Sequence, residues 1–111
     1  MRQPDDRLLV ADMLEQARLA IGAIEQKTRM DFESDRLLQA AAQRFLEVIG
    51  EAASRVSDQT RNLLPGVPWR EIIGMRNRLI HGYSSVDNDI VWETIKGDLP
   101  TIVDALSGFS V

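Results

Sequence analysis

Helical periodicity is the feature that most restricts the fold of this 111-residue chain. Apolar residues recur at spacings of three and four along four segments, which cover about residues 6–27, 34–57, 68–82 and 87–106. No segment alternates apolar and polar residues in the way that a half-buried strand does. The pattern therefore predicts an all-α protein, folded as an antiparallel helical bundle of four to five helices.

Three of these segments carry apolar stripes that predict the core. The first stripe consists of Leu9, Met13, Ala17, Ala20 and Ile24. The second consists of Leu38, Ala42, Phe45, Ile49, Ala52 and Val56. The last consists of Ile90, Ile95, Leu99, Ile102 and Leu106. Pro100 lies inside the last stripe, so we expect a kink or a break there. Asp31 or Ser34 is expected to cap the second helix, and Asp87 or Asn88 the fourth.

Length and composition narrow the classes of function. The sequence predicts a single domain over residues 1–111, with no linker and no internal repeat. No apolar run approaches membrane-spanning length, and no apolar region follows the charged N-terminus, so we expect a cytoplasmic protein without membrane contact. The absence of cysteine excludes disulfides and thiolate metal sites.

The net charge of the chain argues against nonspecific nucleic-acid binding, whereas its arginine content favours phosphate binding. The formal net charge of −4 argues against a protein that coats nucleic acid nonspecifically. Eleven of the thirteen basic residues are arginine, the side chain better suited to forked recognition of phosphate. A genome whose codons favour arginine explains the same bias, so arginine content by itself does not establish a phosphate site.

The segment GMRNRLIHGY, residues 74–83, contains the chain's only histidine, His81, and its only tyrosine, Tyr83. Asn77 precedes His81 by four residues, so the two share a helix face. Arg76 precedes His81 by five residues, and the two side chains converge only if the helix ends or loosens near the histidine. Gly82 suits such an end, since glycine tolerates the left-handed conformation that follows many helices. We therefore expect a rigid helix end that presents these side chains near one cleft.

The same side chains suit phosphodiester cleavage without a metal. His81 is able to transfer a proton near neutral pH, from a ribose 2′-hydroxyl or to a departing 5′-oxygen. Arg76 is expected to stabilise the charged phosphate in the transition state, Asn77 to orient either Arg76 or His81, and Arg78 to add positive charge. One histidine does not easily serve as both acid and base, whereas a symmetric dimer supplies two. The competing interpretation is a helix C-terminus with dipole-stabilised histidine and surface arginine, which the spacing alone favours because arginine is abundant.

The stretch MRNRLIHGY resembles the R-x4-H-x-Y signature of the HepT-like toxins, a branch of the HEPN superfamily of helical-bundle ribonucleases. FLEVIGEAA, PWREIIGMRN and VDNDIVWETIKGDLP also resemble that family, so the similarity covers most of residues 35–106. The resemblance implies a homodimeric, metal-independent endoribonuclease that needs no cofactor and cuts an RNA such as tRNA or mRNA. Arg76 and His81 match the catalytic pair, and Asn77 matches the polar residue that often follows the arginine.

The resemblance also implies a partner. Proteins of this kind are typically paired with a minimal nucleotidyltransferase antitoxin, which silences the toxin by adenylylating the motif tyrosine. Tyr83 matches that tyrosine. An added nucleotide there would fill the cleft and repel the phosphates of RNA.

Two other functions are compatible with parts of the sequence. One is a non-catalytic HEPN module that binds nucleotide or serves as the helical partner of a nucleotidyltransferase. The other is a nucleotidyltransferase, suggested by Asp87 and Asp89 two residues apart; that chemistry needs carboxylates on a strand, and helix capping explains the pair better. Elsewhere, Glu51 is expected to pair with Arg55 one turn on, with no catalytic role.

Overall fold

The computed structural model describes residues 5–81 and 87–109, without the side chains of residues 80 and 81. The helices in this part are α1 (Asp6–Ile24), α2 (Arg29–Glu33), α3 (Arg36–Arg55), α4 (Asp58–Leu63), α5 (Trp69–His81), α6 (Asn88–Glu93), a π-helical turn (Thr94–Asp98) and α7 (Leu99–Ser107). These residues contain no strand, so the predicted all-α bundle is confirmed. None of these helices is long and apolar enough to cross a membrane.

The core of the bundle lies between α1, α3 and α7. α3 packs along α1 on one side and along α5 on the other, and α1 also packs against α7. All five residues of the predicted α1 stripe are buried, as are most of the α3 stripe. The prediction is wrong at Ile90, which is 42% exposed. Ile90 lines an open groove, because α5 rests mainly on α3 and does not cover α6.

Two short helices precede and follow α3, and they change the predicted caps. A capping box between Thr28 and Asp31 starts α2, and the Asp35 side chain caps α3. The prediction that Asp31 or Ser34 caps α3 is therefore wrong, because a separate helix uses Asp31 in its own first turn. Asp87 caps α6, as predicted.

Pro100 interrupts the last helix, as predicted. The residues before it form the π-helical turn, in which the Leu99 N–H donates to the Thr94 carbonyl. Proline lacks an N–H, and its ring crowds the carbonyl four residues earlier, here that of Lys96. The wider π turn interrupts the α-helical hydrogen bonding just before the proline, and the helix then continues as α7 instead of ending there.

Arg61 links the end of α3 to the start of α5. Its guanidinium donates to the carbonyl oxygens of Val56 and Ala53, both at 3.1 Å. The same guanidinium lies 5.8 Å from the centre of the Trp69 ring, at the first residue of α5. These contacts satisfy carbonyls that a helix end leaves without partners, and they fix where α5 begins.

Candidate active site

α5 carries most of the predicted site residues on one helix: Arg76, Asn77, Arg78 and His81. Buried Ile72 and Leu79 hold this helix against the rest of the protein. Since α5 runs through residue 81, Arg76 and His81 belong to one helix, five positions apart. Gly82, Tyr83 and the side chain of residue 81 lie outside the described part of the chain. The cap at Gly82, the convergence with the imidazole and the place of Tyr83 thus stay predictions.

The stem of Arg76 lies directly against α3 at Gly50. A Cβ atom at residue 50 would overlap the Cβ of Arg76, lie 2.8 Å from its Cγ and lie 3.2 Å from the Ile72 carbonyl oxygen. Only glycine leaves room for this approach, so Gly50 sets how close the two helices come at the site.

The guanidinium of Arg76 is held by two neighbours. Its Nη2 lies 2.6 Å from Oε2 of Glu51, and its Nη1 donates to Oδ1 of Asn77 at 3.1 Å. The predicted pairing of Glu51 with Arg55 is therefore wrong, because α5 comes close enough at Gly50 for the carboxylate to meet Arg76 instead. The Arg76 side chain stays 28% exposed, so it is only partly covered by these contacts.

Sequence reasoning missed Glu51 as part of the site. The signal that was available is a glycine inside a long helix, directly followed by an acidic residue in IGEAA. A glycine there indicates a close helix–helix approach, and an acid beside such an approach faces whatever the second helix carries. The arginine-bearing α5 is that second helix.

A groove beside α5 separates it from α6 and α7. It is a cavity of about 650 Å³, with an apolar floor that includes Leu46, Ile49, Ile72, Leu99 and Ile102. The acidic residues along the groove are Glu71, Asp89, Glu93 and Asp98, and Arg78 of α5 lines the same space. α5 itself is basic, since it carries Arg70, Arg76 and Arg78 against a single acidic residue.

Asp87 and Asp89, the pair that suggested a nucleotidyltransferase, have structural partners. The Asp87 side chain accepts from the Asp89 and Ile90 N–H groups at the start of α6. Asp89 pairs with Arg29 of α2 at 2.8 Å. The predicted helix capping by Asp87 is thus confirmed.

These features define a class: an all-α bundle of HEPN type, in which one helix carries an R-x4-H motif and its arginine is held by a neighbouring helix. The sequence model of the family described as "Ribonuclease HepT-like" matches residues 13–107. The chain belongs to this family, which is one of ribonucleases.

Individual relatives agree with the family assignment. The chain is 42% identical over 95 residues to the "Probable ribonuclease HepT" of Thermococcus cleftensis, covering 82% of this chain and 86% of that protein. It is 34% identical over 102 residues to the "Putative RNase MJ1380" of Methanocaldococcus jannaschii, covering 92% and 94%. It is 38% identical over 90 residues to the "Putative RNase TTE0752" of Caldanaerobacter subterraneus, covering 81% and 80%. No solved structure gives a significant match.

Proposed function

We propose that the protein is a metal-independent endoribonuclease formed by a single domain, with Arg76 and His81 as its catalytic pair. The observation that carries the proposal is the Arg76 guanidinium, which is oriented by Glu51 and Asn77 on a side chain that is still partly exposed. It lies on the same helix as the chain's only histidine, in a chain that belongs to a ribonuclease family.

The proposed reaction is an attack of a ribose 2′-oxygen on the adjacent phosphorus atom. The 2′-hydroxyl loses its proton to a base, the bond from phosphorus to the 5′-oxygen breaks, and an acid protonates that oxygen. The products are a 2′,3′-cyclic phosphate and a 5′-hydroxyl. His81 transfers a proton, while the permanent charge of Arg76 stabilises the phosphate as negative charge builds on it. Exposed Arg78 binds a flanking phosphate.

A homodimer supplies the second proton-transfer group. We propose that the basic α5 of a second copy covers the groove beside α5 in the first. The groove has an apolar floor with Glu71 and Asp98 at its rim, and α5 offers Arg70 beside the partly exposed apolar residues Ile73 and Met75. This complementarity holds in both directions across a two-fold axis, as a symmetric dimer requires. The arrangement brings the two Arg76–His81 motifs to one shared cleft.

The dimer is tested by placing a positive charge in the groove. Ile90→Lys puts a cation where the basic α5 of the second copy would lie, so light scattering should show a monomer. Leu37→Lys is the matched control, since Leu37 is 84% exposed and lies away from the groove. An Ile90→Lys protein with the mass of the unmodified dimer would contradict this interface.

We further propose that the protein is the toxin of a cytoplasmic toxin–antitoxin pair, silenced by a minimal nucleotidyltransferase. The support is the tyrosine two residues after His81, which completes the R-x4-H-x-Y pattern. Incubation with the partner and ATP should add the mass of one AMP group to Tyr83 and abolish RNA cleavage. Tyr83→Phe should escape both effects; silencing of that variant would remove the modification from the proposal.

The reaction is tested with an RNA oligonucleotide in buffer that contains EDTA. We expect fragments ending in a 2′,3′-cyclic phosphate, and no cleavage where the 2′-hydroxyl is replaced by hydrogen. Cleavage that stops when EDTA is added would contradict metal independence. A dimer that cleaves no RNA would instead support the non-catalytic HEPN module.

A further inference from the structure

We infer that Glu51 is a positioning residue, which fixes the orientation of the Arg76 guanidinium and thereby raises kcat. The negative charge of Glu51 at the same time lowers the affinity for RNA. The inference rests on the proposed ribonuclease function, and it assigns to α3 a role in a site whose motif lies wholly on α5.

The geometry gives Arg76 two fixed points on one turn of α3. Gly50 lets the Cβ and Cγ of Arg76 rest against the helix, and Glu51, the next residue, forms an ion pair with its far end at 2.6 Å. An arginine side chain loses rotamer entropy when it is ordered. Ordering it before RNA binds removes that cost from the reaction, since the guanidinium already points in one direction.

The charge of Glu51 has the opposite effect on binding. Its side chain is 48% exposed beside the group that meets phosphate, so its negative charge repels the RNA backbone. Neutralising Glu51 should therefore make the Arg76 side chain less ordered, and it should also remove the repulsion between residue 51 and the RNA backbone. Replacement of a residue that only stabilised the fold would not lower kcat while leaving KM unchanged or lower.

Steady-state kinetics test this separation. In Glu51→Gln we expect kcat to fall about tenfold, because misplaced catalytic groups lose rate steeply, while KM is unchanged or lower. Glu47→Gln is the matched control: Glu47 lies one turn earlier on α3, pairs with Arg44 at 3.4 Å, and its change alters the net charge equally. Its kcat should equal that of the unmodified protein. Equal kcat values for Glu51→Gln and Glu47→Gln would overturn the inference.

A second measurement does not depend on cleavage. The guanidinium Nη–H signal of Arg76 in 15N NMR, assigned by its loss in Arg76→Lys, should show slow hydrogen exchange in the unmodified protein, because Nη2 lies 2.6 Å from Oε2 of Glu51. Exchange should accelerate in Glu51→Gln and not in Glu47→Gln; unchanged exchange in Glu51→Gln would also overturn the inference. If the unmodified protein cleaves no RNA, the proposed function fails, and this signal still decides whether Glu51 orders Arg76.

Discussion

Arg76 of α5 occupies the space that a side chain at Gly50 of α3 would need. A Cβ atom there would lie 2.8 Å from the Cγ of Arg76 and 3.2 Å from a backbone oxygen of α5, so the helix as well as the side chain would have to move. The separation of the two helices and the direction of Arg76 thus depend on the same glycine.

Gly50→Ala should therefore impair both stability and cleavage. Overpacking of this kind costs about 1–3 kcal/mol of unfolding free energy, and displaced Arg76 should lower kcat. Urea unfolding and an RNA cleavage assay measure the two effects. Gly22→Ala is the matched control, because a Cβ atom at Gly22 of α1 meets nothing within 4 Å; it should raise stability by up to about 1 kcal/mol and leave kcat unchanged. A Gly50→Ala protein that behaves like Gly22→Ala would contradict the close approach.

Arg61 should contribute more to stability than an ordinary surface arginine. It donates to carbonyl oxygens at the end of α3 and packs over Trp69. Arg61→Leu removes these charged hydrogen bonds, and we expect the free energy of unfolding to fall by about 2 kcal/mol. Arg44→Leu provides the comparison, since Arg44 is 74% exposed and its ion pair should be worth less than about 1 kcal/mol. Equal losses in the two variants, measured by urea unfolding, would show that the cap contributes little.

Asp6 should make stability depend on acid pH. Desolvation disfavours its ionised form, but hydrogen bonds from Ser57 and Thr60 outweigh this effect, so the pKa of Asp6 lies below its ordinary value. A lowered folded-state pKa gives stability that is complete above the unfolded value of 3.8 and is lost as pH falls through the folded value.

The corresponding variant is Asp6→Asn. At neutral pH it should be less stable than the unmodified protein by about 1–2 kcal/mol, and the difference should shrink as the pH falls below 3.8. Thermal unfolding at a series of pH values measures this convergence. Asp104→Asn, at an exposed position of α7, should keep the profile of the unmodified protein. If the difference in stability between Asp6→Asn and the unmodified protein stayed constant with pH, it would contradict the hydrogen bonds from Ser57 and Thr60 to an ionised Asp6.

The long helices were predictable because their signal is local. Residues such as Met13 and Ala17 recur at helical spacing, and every member of that stripe is buried. α2 and α4 were missed because helices of five and six residues contain too little sequence for a period to appear. Their caps, at Thr28 and Ser57, are local signals that hydrophobic periodicity does not contain.

The site was predictable only along α5. The spacing from Arg76 to His81 is a property of one helix, whereas the partner of Arg76 depends on how two helices pack. Glu51 has an acceptable partner four residues on in Arg55, and the local rule for helix pairs selects it. Only the approach at Gly50 shows that Arg76 is nearer, and such an approach is a tertiary property.

Cleavage by His81→Ala tests the central claim most directly. The initial rate of RNA cleavage in EDTA should fall by at least about a hundredfold when the only histidine is removed, since general acid–base catalysis contributes about 10²–10⁴-fold. The proposed dimer and the unfolding free energy should be the same in His81→Ala as in the unmodified protein, so that the loss of rate reflects the loss of proton transfer. A His81→Ala protein that cleaves RNA at the rate of the unmodified protein in the same buffer would contradict the account.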